Sequence, residues 1–153
     1  MAQTTTPFSL KNVSFTMRPK GATGASQEFR CQLSECMLVP TAASGGSASL
    51  ETFCGSFSDP GGAATWVAQL SGFQAYADVT DFAVVAFNDE GEEYEFTMVP
   101  MGGTISATNP GFTGTLILVP VNIGGTANTY AVFSTSQPVV GRPQMITAPP
   151  VAA

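Results

Sequence analysis

The chain has 153 residues, enough for one domain with a core of its own, yet only 10% are charged against 44% hydrophobic, where soluble domains usually carry about 25% charge. The absence of histidine excludes Ser-His-Asp and Cys-His catalysis and HExxH zinc chemistry. Five basic residues against eleven acids, net −6, argue against a protein that grips nucleic acid by neutralising phosphates. A surface so poor in charge, with 16 Gly and 11 Pro, predicts a chain that covers much of itself with other protein.

Short runs rich in Val, Phe, Thr and Leu, punctuated by Gly/Pro/Ser/Asn clusters, predict an antiparallel, mainly β domain of about seven strands. The first strand is expected over Ser9–Met17, where Val13, Phe15 and Met17 alternate with polar residues. The second is expected over Gln27–Val39, with Phe29, Cys31 and Leu33 on one face, a bulge near Ser34–Glu35 where the phase shifts, and Pro40 as its end. A flexible loop, Thr41–Ser49, leads to a strand over Leu50–Phe57 and the breaker Asp59-Pro60-Gly61-Gly62. Ala64–Gly72 alternates again, placing Trp66, Ala68 and Leu70 together as core.

A helix is predicted over 79–88, capped by Asp78 or Thr80, with Val79, Phe82 and Val85/Ala86 as its apolar stripe and Gly91 just beyond its end. In the strand Glu92–Val99, Tyr94, Phe96 and Met98 face the core, and Glu93, Glu95 and Thr97 face away. A Gly/Pro/Asn loop precedes Phe112–Ile123, with Phe112 and Leu116 as core and Thr113 and Thr115 opposite; Gly124-Gly125-Thr126 then turns the chain into a last strand over Thr129–Thr135. Residues 1–8 read as an N-terminal arm, 9–140 as the domain, and 141–153 as an arm or disordered tail.

Candidate chemistry is sparse. Three cysteines, Cys31, Cys36 and Cys54, without a CxxC pair, read as small buried hydrophobes in a reduced compartment. The carboxylates Glu92, Glu93 and Glu95 have no nearby lysine, and Glu92 points away from the other two, so no catalytic residue, metal site or cofactor is expected. The Gly-Gly pairs lack a following GK[ST] and are turn residues. The N-terminus has no basic and apolar leader pattern, and no run of about 18 apolar residues occurs, so synthesis in the cytosol without a membrane is expected. Lys11, Arg18, Lys20 and Arg30 lie in the first thirty positions, whereas seven acids crowd between 78 and 95, so stacked copies would set a basic end against an acidic one.

The order of segments resembles the major tail (tail tube) proteins of long, flexible-tailed bacteriophages. The residues that carry the resemblance are the strand Thr65–Gln74, the helix after it, the acidic turn into Tyr94–Pro100, Asn109-Pro110-Gly111-Phe112-Thr113-Gly114, Gly124-Gly125, and Pro138-Val139-Val140-Gly141-Arg142-Pro143. The resemblance spans about residues 9–143. It implies a β-sandwich or split barrel with one flanking helix, the fold shared with type VI secretion tubes, in subunits that form stacked, usually hexameric rings around a DNA conduit. It further implies partners in a tape-measure protein, a tail terminator and tail-tip proteins, and a place in the virion after synthesis in the host cytoplasm. Ring-to-ring contacts would fall on 2–8, Thr41–Ser49 and 141–153, with Lys11, Arg18, Lys20 and Arg142 as candidate contact residues.

On that reading Glu93, Glu95, Thr97, Thr113 and Thr115 line the lumen, and a six-membered ring carries about −36, a wall that repels phosphate. The core set is Val13, Phe15, Phe29, Cys31, Leu33, Trp66, Leu70, Phe82, Tyr94, Phe96, Met98, Phe112 and Leu116. Two other readings suit a mainly β chain without catalysis: a capsid decoration or other virion assembly module, and a carbohydrate-binding β-sandwich using Trp66, Tyr76 and Tyr130.

Overall fold

The computed structural model describes residues 7–29, 31–42, 49–58 and 64–149. In chain order the elements are β1 (Ser14–Pro19), β2 (Gln27–Glu28), β3 (Leu33–Thr41), β4 (Ser49–Thr52), β5 (Gly55–Ser58), β6 (Thr65–Phe73), α1 (Phe82–Asn88), β7 (Glu93–Val99), β8 (Gly111–Ile117) and β9 (Val132–Ile146). Seven strands form one antiparallel sheet in the order β2-β1-β7-β8-β9-β6-β3, and β4 and β5 pair separately. The fold is therefore mainly β and antiparallel, with one flanking helix among the described residues.

The connectivity forces the sheet to curl. A flat sheet of seven strands would hold its outer strands about 29 Å apart, whereas the link 29–32 between edge strands β2 and β3 spans about 17 Å at full extension. That link is tied at both ends: Phe29 N–H donates to the Phe15 carbonyl and Phe73 N–H donates to the Gln32 carbonyl. The result is a split barrel whose concave face holds Phe15, Met17, Ala68, Leu70, Phe96, Leu116 and Phe133, all buried. Helix α1 closes one end, with Phe82 stacked on Phe133 at 5.3 Å and edge-on to Phe29 at 5.5 Å.

Several expectations change in the structure. β1 begins only at Ser14, because Asn12 crosses over the loop at Gly102; a Cβ there would lie 2.0 Å from the Asn12 carbonyl, and Gly102 has φ +69°. The second expected strand splits into β2 and β3, and Cys31, expected in the core, is exposed in the link between them. The bulge does fall between Leu33 and Glu35. Pro40 does not end β3, which runs to Thr41; β3 is an edge strand, where a missing N–H leaves one sheet bond unformed at most. The strand expected at 50–57 is the hairpin β4–β5, turning at Phe53-Cys54. The breaker at 59–62, Arg30, and most of the loop 41–49 lie outside the described residues.

The helix starts three residues later than expected. Asp78 and Asp81 build the turn before it, the Asp78 carboxylate accepting from Thr80 N–H at 3.1 Å and the Asp81 carboxylate from Asp78 N–H at 2.9 Å. That first bond holds the Asp78 carboxyl below its usual range. The helix is capped from a distance: Gln32 Oε1 accepts from Phe82 N–H at 2.8 Å, and Gln32 Nε2 donates to Asp81 at 2.8 Å. Val79 consequently stays outside the helix and is 78% exposed. At the other end of the chain β8 stops at Ile117, the connection 118–131 is irregular, and β9 runs through 141–146, where the sequence suggested an arm.

Candidate functional site

Strict alternation along β1, β7 and β8 puts a second, polar face on the convex side of the barrel. Cross-strand partners share a face, so the pairs Arg18 with Glu95, Thr16 with Thr97, Glu95 with Thr115, and Thr97 with Thr113 place all five residues expected at a lumen, including Glu93, on one surface. Arg142 and Gln144 of β9 border it.

This face also holds bases, which the sequence reading had assigned elsewhere. Arg18 Nε lies 3.0 Å from Glu95, and Lys20 Nζ lies 2.6 Å from Glu93. The bond to Glu93 raises the Lys20 pKa. Arg18 and Lys20, expected to reach another copy, are thus engaged by the acids of their own chain. The hydroxyls are similarly occupied, Thr113 donating to the Phe96 carbonyl at 2.9 Å and Thr16 to the Thr97 carbonyl at 3.4 Å. Among the described residues no acid lies within 4.0 Å of Arg142, no three Cys, Asp or Glu side chains converge, and Lys11 is exposed in the turn before β1.

The end of the barrel away from α1 is open. Trp66, Phe112 and Met145 lie in phase with the core residues of β6, β8 and β9, but among the described residues no helix or strand covers them there. Trp66 and Phe112 are half-buried and outside the core cluster, which corrects their expected role. With Leu38, Phe8 and Leu10 they line an apolar groove of about 520 Å³, whose charged lining residue is Arg142. Val13 and Leu33 are likewise half-buried, packed on the core's margin. Phe15, Phe29, Leu70, Phe82, Tyr94, Phe96, Met98 and Leu116 are buried as expected.

Three glutamines that sequence reasoning passed over organise the surroundings. Gln32 caps α1, and wholly buried Gln137 binds both backbone groups of Val119. Gln74 binds the Gly124 and Val132 carbonyls at 2.8 Å each, and accepts from Gly124 N–H and the Tyr76 hydroxyl. The signal for Gln137 was present in the alternation Phe133, Thr135, Gln137, Val139, where an amide falls in core phase. Around Gln74 stand exposed Phe73, Tyr76, Ile123 and Tyr130, with Phe73 and Tyr130 edge-on at 77° rather than forming a flat platform.

No helix among the described residues is long and apolar enough to cross a membrane. No protein-family model matches the chain, and no curated protein matches it.

Proposed function

We propose that this chain is the structural subunit of a bacteriophage tail tube, assembling into stacked six-membered rings through which the genome passes, without catalysis or cofactor. The observation that carries the reading is a surface suited to cover by protein. From Phe96 to Gly141 no residue is charged, and within that stretch Val119, Ile123, Tyr130, Val132 and Val140 are exposed. Interface cores are depleted in charge and more apolar than the rest of a protein's surface. Assembly also gives the long edge strand β3 a neighbour, as a closed ring of sheets removes edges.

On this reading the convex polar face is the wall of the channel. Glu93 and Glu95 are each held by a base, which cancels their charge at the wall, while the −6 of every subunit repels phosphate from further off. DNA then slides without sticking. The tube's ends would meet tape-measure, terminator and tail-tip proteins in the virion.

Electron microscopy of the purified protein in negative stain tests the proposal. Hollow tubes with a regular ring repeat support it; monomers at high concentration overturn it. The wall has its own test, the double variant Glu93→Lys, Glu95→Lys, which turns two ion pairs into four like charges. Tubes should form but deliver DNA poorly, and delivery equal to wild type removes the wall assignment.

A further inference from the structure

We infer that the β4–β5 hairpin of one copy seats Phe53 in the apolar groove at the open end of a second copy's barrel. The inference rests on the reading of the chain as a self-assembling subunit and names a contact that joins its copies.

Each half of the contact is incomplete alone. Among the described residues the hairpin pairs with no other strand, and an isolated two-stranded hairpin is marginal in water. Phe53 at its turn is fully exposed, so it does not fill the groove of its own chain. The groove, for its part, exposes a continuation of the core: Trp66, Phe112 and Met145 in phase with buried neighbours, with Phe8 and Leu10 at the rim. Its volume of about 520 Å³ accepts an aromatic side chain. Charge matches as well. The segment 49–58 carries one charged residue, the acid Glu51, and the groove carries the base Arg142.

Knob and groove are different surfaces of one chain, so the contact is head-to-tail and propagates instead of closing into a two-fold dimer. An aromatic tip buries about 150–250 Å², well below the roughly 800 Å² per partner of a stable pair. The contact is therefore weak when single and gains strength by repetition in an array.

The direct test places the photo-crosslinker benzoylphenylalanine at position 53 of the full chain, mixed with isotope-labelled protein. Crosslinks from 53 to 66, 112 or 145 of the other copy are expected. Crosslinks confined to one chain, or to other surfaces, overturn the inference. Phe53→Asp and Met145→Glu, both at exposed positions, should each raise the concentration needed for assembly at least tenfold with unchanged circular dichroism. Glu51→Arg and Arg142→Glu should each weaken assembly and together restore it; a double variant no better than the singles overturns the charge match. Tubes without these crosslinks would sink the contact and leave the tube standing. Crosslinked copies without tubes would do the reverse.

Discussion

Replacing Gln137 by leucine removes the amide on which the irregular connection after β8 depends. Gln137 is wholly buried; its Oε1 accepts from Val119 N–H at 2.6 Å, and its Nε2 donates to the Val119 carbonyl at 2.9 Å and the Thr135 hydroxyl at 2.9 Å. One side chain thus stands in for the strand partner that Val119 lacks once β8 has ended. Leucine fills the volume and supplies no donor or acceptor, leaving two main-chain groups unpaired. Each such group costs about 1–3 kcal/mol when buried. Val119 is 38% exposed, so water reaches it and the lower figure applies to each, a loss of about 2 kcal/mol in all. For a chain of this length that lowers Tm by about 4–8 °C. Urea unfolding followed by Trp66 fluorescence measures the loss, and hydrogen exchange should quicken at Val119 and its neighbours ahead of the sheet. Ser136→Ala, on the exposed side of the same strand, serves as the control and should change stability by less than about 0.5 kcal/mol. An unchanged urea midpoint, or exchange that quickens evenly across all strands, would refute the reasoning.

Gly72→Ala should be severe, since the new Cβ would lie 2.0 Å from the Gln32 carbonyl; a loss of about 3 kcal/mol is expected, against almost none for Gly125→Ala, which faces open space. Stability should also fall in alkali. Burial, and secondarily the charge of Glu28, push the Cys36 thiol from 9.0 up to about 12, and burial, followed by its bond to Asp89, raises the Tyr94 hydroxyl. The native chain keeps both protons while the unfolded chain releases them, so this stability is fully present below pH 9 and is lost as pH rises toward 12, by at most about 1.4 kcal/mol per pH unit for each group. Urea titrations across pH 8–11 check it; Cys36→Ala should remove part of the slope, and a flat profile would contradict it. Alkylation at pH 8 should label exposed Cys31 in the native chain and reach Cys36 only after unfolding.

Much of the fold was legible because a two-residue period reports which face a side chain takes. Tyr94, Phe96 and Met98 against Glu93, Glu95 and Thr97 read correctly from the chain alone, as did the bulge after Leu33. The same period says nothing of how far a covering element reaches along a strand. Trp66 and Phe112 are in phase with Leu70 and Leu116 and still fall outside the core, because α1 covers only the other end of the barrel. The extent of β9 was hidden by its prolines, which ordinarily mark strand ends. Pro138 lies just before the pairing with β8 begins, and Pro143 lies in the bulge opposite Gly114, beyond the last pair with β6; at each, one neighbouring strand is missing, so the absent N–H is tolerated.

The polar face shows a second limit, that of composition. Bases gathered before residue 31 and acids gathered after residue 77 suggest two ends of a molecule that meet between copies. Antiparallel pairing of β1 with β7 brings those two stretches together within one copy, and sets Arg18 opposite Glu95. Charge separated in sequence is therefore cancelled in space, and the scarcity of charge on the remaining surface is more severe than the 10% of the whole chain suggests. Arg142 escapes this cancellation among the described residues. It stands where the polar face meets the apolar groove, which makes it the cation best placed to choose an acidic partner from outside its own chain.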